Sequence, residues 1–159
     1  MYRKIVFIML PIIVMVLCSC ESSVDSSFEN DFVKVNGYHV SNRVQLNKPT
    51  DYFVIDNQAD WDSTFFVIYD HVDPATITKV DFKDYFAICV VKCENKYWEM
   101  EPVGLTINNR EINYKYDAKC IRENMGWTAG ITNIIMVKKC SYQKIKFYEN
   151  DNLVFTYDK

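Results

Sequence analysis

Four cysteines in the second half of the chain are the side chains best suited to chemistry: Cys89, Cys93, Cys120 and Cys140. Thiolates bind zinc, act as nucleophiles or form disulfides, and each role needs particular neighbours. No histidine lies near these cysteines and their spacing is not of the Cys-x-x-Cys type, which argues against zinc. Cys120 precedes the segment IRENMGWTAG, which indicates no base for a catalytic thiolate. Disulfides and buried free thiols therefore remain as the two interpretations.

Carboxylates are the next candidates. The segment DNQADWD contains Asp56, Asp60 and Asp62, which could hold calcium but lack the glycine and the spacing of an EF-hand loop. Acids at the start of a helix explain them better. Glu99 and Glu101 could do acid–base work, although their alternation is typical of a solvent-exposed strand face. Neither histidine has a nucleophile setting and no phosphate-binding motif occurs, so the sequence predicts no catalytic residue, no metal and no cofactor.

The first twenty residues, MYRKIVFIMLPIIVMVLCSC, have a basic start, a short apolar run and a small-residue end, which are typical of a secretory signal peptide. The end resembles the lipobox of bacterial lipoproteins, in which a small residue precedes the acceptor cysteine. Ser19 meets that requirement before Cys20. Before Cys18 stands Leu17, which is too bulky. We therefore predict that residues 1–19 are a lipoprotein signal peptide and that Cys20 is lipidated; an ordinary signal peptide and an uncleaved anchor are the alternatives.

The remaining chain is expected to have two parts. Residues 20–31 are predicted to be an acidic, serine-rich tether, and residues 32–159 a single β-rich domain of ordinary size. Every acidic residue follows Cys20, whereas Arg3 and Lys4 precede it, so the mature net charge is 16 − 21 = −5. An acidic body argues against nucleic acid as a partner. The expected location is the bacterial cell envelope, lipid-anchored to a membrane and facing the periplasm or the cell surface.

The oxidising compartment favours two disulfides among the four domain cysteines, with three pairings to choose from. The segment YFAICVVKC is typical of a strand, and residues four apart on a strand lie about 13 Å apart, beyond disulfide reach. Cys89 and Cys93 are therefore not expected to pair with each other. Each would pair with Cys120 or Cys140 instead, with free thiols as the alternative.

One helix and many strands must position these residues. The helix is predicted to begin at a cap formed by Asn57 or Asp56, with Trp61, Phe65 and Ile68 on one face. The segment YFAICVVK is apolar at both alternating sets of positions, which predicts a strand covered on both faces. Hairpins are predicted at Asn36–Gly37, at Asn108–Asn109 and within ENDN near the C-terminus. The expected fold is α+β: one antiparallel β-sheet of about six to eight strands, or a closed or half-open barrel, with one packed helix.

Trp127 is the predicted contact residue. It lies between Gly126 and Gly130 in a loop, and aromatic side chains dominate binding hot spots. The alternative is a side chain folded back on the sheet as a plug.

Three segments from residue 54 onward, VIDNQADWDSTF, KVDFKDYFAICVV and TAGITNIIMVKK, resemble the C-terminal domain of PrcB-like protease-complex lipoproteins. In that family a Trp-bearing helix precedes a Val/Ile-Asp-Phe segment that leads into a buried strand. Here Trp61, Asp81 and Phe82 occupy those places. The resemblance implies a non-catalytic protein that binds and stabilises a surface-associated protease complex. Physically, Asp81 is predicted to cap a turn at the start of a strand.

These observations predict a membrane-anchored, non-enzymatic lipoprotein that binds or stabilises another extracytoplasmic protein. A secreted protease is the partner that the resemblance implies. The alternative is a glycan- or small-ligand-binding lipoprotein, which would need a deep pocket with aromatic and polar lining. A hydrolase would need a buried carboxylate or histidine with a partner in such a pocket, whereas a flat apolar patch would favour a protein partner.

Overall fold

The computed structural model describes residues 32–46, 48–67 and 73–159. In these ranges the chain forms ten strands and one α-helix: β1 (Phe32–Val35), β2 (Tyr38–Val40), β3 (Thr50–Ile55), α1 (Gln58–Thr64), β4 (Phe65–Val67), β5 (Tyr85–Glu94), β6 (Tyr97–Asn108), β7 (Glu111–Arg122), β8 (Ala129–Lys138), β9 (Lys144–Glu149) and β10 (Asn152–Asp158). The fold class is α+β, as predicted, with mostly antiparallel strands and a single short helix.

The described strands belong to three sheets. The first sheet has the order β1-β8-β5-β3, the second has the order β10-β9-β7-β6, and β2 pairs with β4. Every described pair is antiparallel except β7 with β9, which run parallel. The prediction of one antiparallel sheet is therefore too simple, and the described strands form open sheets rather than a barrel.

The two four-stranded sheets pack face to face around the main core. Ile88 of β5 and Ile135 of β8 share one buried cluster with Ile112, Tyr114 and Phe147 of the second sheet. All five side chains are fully buried. Burying this much aliphatic and aromatic surface is the main force that holds the sheets together.

A second core lies on the opposite face of the first sheet. Ala87, Cys89 and Val91 alternate along β5 with the residues of the main core, and they pack with Trp61 of α1 and Phe65 of β4. Both faces of β5 are thus covered, which confirms the prediction made from its continuous apolar sequence.

The prediction of a hairpin at Asn36–Gly37 is wrong. β1 pairs with β8, whereas β2 pairs with β4. The φ angle of Gly37 is 89°, which a glycine adopts without strain, and the chain crosses there from the first sheet to the two-stranded one. A Cβ at this position would lie 3.0 Å from Cγ1 of Ile77. The dipeptide marks a sharp turn, but packing of distant segments selects the strand partners.

The predicted terminal hairpin forms, and the turn between β6 and β7 lies one residue later than the predicted Asn108–Asn109 turn. Asn109–Arg110 joins β6 to β7, and Asn150–Asp151 joins β9 to β10. All four residues have positive φ angles between 48° and 66°, as expected of two-residue hairpin loops whose twist matches the strands.

Helix α1 is shorter than predicted. Asn57 is its N-cap, and the Asn57 side chain accepts a hydrogen bond of 2.9 Å from the backbone N–H of Asp60. The helix ends at Thr64, so Phe65 belongs to β4 and not to a helical face. Trp61 and Phe65 still meet in the core, with ring centroids 4.8 Å apart. Ile68 lies outside the described residues.

Candidate contact site around Trp127

Trp127 lies on an exposed apolar surface at one end of the sandwich. Its side chain is 63 % exposed, and it lines a shallow cavity of about 310 Å³ with Tyr97, Ile121, Arg122 and Met125. We call these five residues the Trp127 patch. The plug alternative is wrong, because a side chain folded back on the sheet would be buried.

A β-bulge builds this patch. Tyr97 pairs with Arg122 and Trp98 pairs with Cys120, so β7 has one extra residue, Ile121, opposite the start of β6. A bulge turns the local strand and re-aims its side chains, and Ile121 is 50 % exposed.

The loop that follows β7 is held in place by its backbone. The N–H of Met125 donates a hydrogen bond of 2.8 Å to the carbonyl oxygen of Asn95, in the turn between β5 and β6. Asn124 has a φ angle of 53°, which asparagine tolerates better than most residues. These two features keep Trp127 beside Tyr97.

The side chains of the Trp127 patch are of types that contact protein partners. Tyr97, Ile121, Met125 and Trp127 offer aromatic, aliphatic and thioether surface, and Arg122 is the one charged residue among the five. Aromatic and arginine side chains are enriched in binding hot spots, and methionine adapts to partners of irregular shape. The patch therefore has the composition of a protein-contact surface.

Sequence reasoning found Trp127 but missed its four neighbours. A tryptophan in a glycine-containing loop is visible in the sequence, whereas a bulge has no local signal and Tyr97 reaches the patch only through strand register. The one available hint was an aromatic residue directly after the Glu94-Asn95-Lys96 turn, and that hint is common to many strands.

The four domain cysteines are all free thiols in the structure, so it gives no support to the two predicted disulfides. Cys89 is fully buried in the second core, and the other three are half-buried. Burial raises the pKa of the Cys89 thiol far above its usual value, because a thiolate has no partner there. Partial burial also raises the pKa of Cys140, against the opposing charge of Lys159.

These environments predict a difference in reactivity. Iodoacetamide applied to the native protein is expected to alkylate Cys93, Cys120 and Cys140 and to leave Cys89 unmodified, because thiolate content and access control the rate. In denaturant all four should react. Peptide mass spectrometry without prior reduction measures both states. Alkylation of Cys89 at the rate of Cys93, or a disulfide-linked peptide pair, would contradict this expectation.

The three carboxylates that were candidates for a calcium site, Asp56, Asp60 and Asp62, all accept hydrogen bonds from neighbouring side chains. The Asn57 amide donates to Asp60 at 2.8 Å and to Asp56 at 3.2 Å, and Gln58 donates to Asp62 at 2.7 Å. Among the residues that the structure describes, no group of three metal-binding side chains could hold a metal ion. The helix-start interpretation of these acids therefore fits better than the calcium one.

The remaining acids also have structural partners or face solvent. Glu99 and Glu101 are exposed on β6, and Glu101 forms an ion pair with Lys34. The side chain of Asp81 accepts a hydrogen bond of 2.8 Å from the backbone N–H of Lys83, which confirms the turn cap.

One buried charged cluster was not anticipated. Nζ of Lys92 lies 3.0 Å from each carboxylate oxygen of Glu149, between the two sheets, and 4.2 Å from the centroid of the Trp98 ring. The Tyr116 hydroxyl donates to Glu149 at 2.8 Å. Burial, and then hydrogen bonds with Tyr52 and Glu149, raise the pKa of Tyr116, so its hydroxyl remains a donor. None of these residues lines the Trp127 cavity, which makes a structural role the better interpretation.

Two further cavities adjoin the first residues of β8 and share Gly130. The larger, of about 480 Å³, has an apolar lining that includes Phe66 and polar groups that include His39 and Cys93. The smaller, of about 270 Å³, borders the Trp127 patch at Tyr97.

The smaller cavity also includes Asn133, which is 3 % exposed. The Tyr114 hydroxyl donates a hydrogen bond of 3.1 Å to Oδ1 of Asn133. The Nδ2 atom has no hydrogen-bond partner among the described residues. The two cavities together are the place where a small ligand would be sought.

Several predictions lie outside the described residues: the signal peptide 1–19, Cys20 and the tether 20–31. One of the two histidines in the chain, His71, also lies outside them. In the part of the chain that the structure covers, no helix is long and apolar enough to cross a membrane.

Comparisons with protein-family models, with curated proteins and with solved structures find no match to this chain. The resemblance to PrcB-like lipoproteins thus stays a prediction that rests on the three sequence segments. Two of its marker residues have structural roles here, since Trp61 is a core residue and Asp81 caps a turn.

Proposed function

We propose that this protein is a lipid-anchored, non-enzymatic lipoprotein of the bacterial cell envelope that binds another extracytoplasmic protein through the Trp127 patch. The exposure of Trp127 beside Tyr97 and Ile121 carries the proposal. Large exposed apolar side chains that lie together mark interaction sites on soluble domains. The lipobox and the basic, apolar N-terminal segment support the anchor.

The proposed class of partner is a subunit of a secreted protease complex. Support comes from the PrcB-like sequence segments, of which VIDNQADWDSTF and KVDFKDYFAICVV contribute α1 and β5. Because these segments build the second core, they favour a shared fold more strongly than a shared partner. The identity of the partner as a protease subunit is therefore a separate part of the proposal. Recovery of a peptidase in a pull-down with this protein would support it.

A glycan- or small-ligand-binding lipoprotein is the second candidate. The cavity of about 480 Å³ beside β2 and β4 favours it, since its mixture of apolar walls and a few polar groups is typical of ligand sites. Sugar binding would also use aromatic rings, which the Trp127 patch offers. That patch has one charged group and few hydroxyl partners, so protein binding is the better use of its surface.

Replacing Trp127 by alanine in the full chain is expected to weaken partner binding by about 30-fold, which corresponds to the 2 kcal/mol typical of a hot spot. Pull-down from detergent-solubilised envelopes first recovers the partner. Titration of the recovered partner against the wild type and the variant then measures the change in affinity. Leu153→Ala is the matched control, because Leu153 is also exposed (53 %) but lies on β10. Equal losses in both variants, or retention of polysaccharide alone, would contradict the proposal.

The anchor has its own test. Labelled palmitate is expected to enter the full chain and to be lost completely in Cys20→Ala, because the acyl chain needs the cysteine sulfur that the lipobox presents. Cys18→Ala is the control, since Cys18 is predicted to leave with the signal peptide, and its labelling should be unchanged. If Cys20→Ala is labelled as strongly as the wild type, the lipoprotein assignment is wrong.

A further inference from the structure

The two ends of the first sheet have different neighbours. Phe32, the first residue of β1, pairs with Val137 near the end of β8, so the segment that begins at Cys20 joins the sheet at this end. Trp127 comes two residues before Ala129, where β8 begins. Ala129 and Val137 are eight residues apart on β8. At about 3.3 Å per residue they are therefore roughly 26 Å apart.

This distance separates Phe32, at the start of β1, from the end of the sheet where the Trp127 patch lies. An acyl chain on Cys20 would attach the domain to the membrane through its Phe32 end, and the patch lies at the opposite end. Residues 20–31 span at most about 40 Å even if fully extended, so the Phe32 end lies within that distance of Cys20. The mature net charge of −5 also opposes close contact between the domain and an anionic lipid surface.

The charge of the patch narrows the chemistry of its partner. Arg122 is exposed, and in the part of the chain that the structure describes no ion pair includes its guanidinium. Guanidinium groups bind carboxylates in a bidentate manner. A partner that covers Tyr97, Ile121 and Trp127 would therefore gain from a carboxylate placed over Arg122.

Resting on the proposed function, we infer that the Trp127 patch is a membrane-distal docking site. Its partner is a different protein that approaches from the side away from the anchoring bilayer and presents an apolar side chain next to a carboxylate. The proposed occupant is therefore a protein in the aqueous compartment, and lipid or a second copy of the chain at the patch is an outcome that the test distinguishes.

Site-specific photocrosslinking in the native host tests this inference on the full, lipidated chain. Benzoylphenylalanine is placed at Gly126, where a Cβ would meet nothing within 4 Å, so that Trp127 itself is retained. The matched control has the same probe at Val33, which is 47 % exposed and lies on β1 at the anchor end. The expected result is a protein adduct from position 126 and little or none from position 33. Arg122→Glu should reduce that adduct by about tenfold, and Arg122→Lys should retain most of it.

Each other outcome of the crosslinking experiment overturns a defined part of the proposal. Protein adducts from position 33 alone would keep the proposed function and remove the membrane-distal site. Phospholipid adducts, or adducts between two copies, from position 126 would remove the docking inference. An adduct from position 126 that is unchanged by Arg122→Glu would remove the carboxylate-bearing partner. The absence of protein adducts from both positions would remove the proposed function and the inference together.

Discussion

An alanine at position 61 is expected to lower the free energy of unfolding by about 3–5 kcal/mol, the usual loss when a buried tryptophan is truncated. Trp61 is 1 % exposed, and its ring centroid lies 4.9 Å from that of Tyr38 and 4.8 Å from that of Phe65. A third ring, that of Phe82, lies 5.7 Å away. These neighbours come from β2, β4 and the turn before β5, so the indole joins the outer elements to the first sheet. Its removal would leave a cavity that the surrounding strands could not readily fill.

Chemical denaturation followed by circular dichroism measures this loss. Trp127→Ala is the matched control, because it removes the same side chain from an exposed position and is expected to change stability by less than about 0.5 kcal/mol. Trp61→Phe retains an aromatic ring and should cost less than Trp61→Ala. If the variants at positions 61 and 127 were equally destabilised, the second core would contribute far less than its burial indicates.

Trp61 also shows what the sequence could reveal about the fold. Its place near a capping asparagine, ahead of a long apolar strand, predicted a helix packed on a sheet, and that arrangement is present. The continuous apolar sequence of β5 predicted burial on both faces. Such signals succeed because a local period and a local cap decide them. The helical spacing of apolar residues gave a wrong prediction at Phe65, because β4 pairs with β2 there and the helix ends earlier.

Strand pairing is the part that local sequence could not supply. β1 pairs with residues about a hundred positions later along the chain, for example Val35 with Ile134, and no turn signal connects them. Asn36–Gly37 is a strong hairpin dipeptide, yet the apolar side chains around it gain more by covering the first sheet. Tertiary packing therefore overrides a correct local turn.

In the candidate site, too, local features could be predicted from the sequence and long-range neighbours could not. Trp127 was visible because a large aromatic residue in a glycine-containing loop is unusual. Tyr97 and Ile121 became neighbours only through the register of β6 with β7 and through the bulge between them. The buried Lys92–Glu149 pair was equally hidden, since its two members are 57 residues apart. Lys92 ends a strand predicted to be covered on both faces and Glu149 begins a predicted turn, so nothing local in the sequence connects them.

Replacing Glu149 by leucine is expected to cost about 3–5 kcal/mol of stability, because it leaves the Lys92 ammonium buried without a carboxylate. The side chain of Lys92 is 6 % exposed and that of Glu149 is 19 % exposed. The Trp98 ring, 4.2 Å from Nζ of Lys92, offers a cation–π contact that offsets only part of the loss. The Tyr116 hydroxyl would also lose the acceptor to which it donates.

The double variant Lys92→Met/Glu149→Leu separates the two contributions. Replacing both members of a buried ion pair by apolar residues of similar volume is often neutral or stabilising, so the double variant should be more stable than Glu149→Leu alone. Glu149→Gln should lie between Glu149→Leu and the wild type, because the amide oxygen still accepts hydrogen bonds but has no charge. Denaturant unfolding of the wild type, Lys92→Met, Glu149→Leu and the double variant completes a double-mutant cycle. If the stability losses of the two single variants simply added in the double variant, Lys92 and Glu149 would not be coupled. The ion pair would then not be a contact that stabilises the packing of β5 against β9.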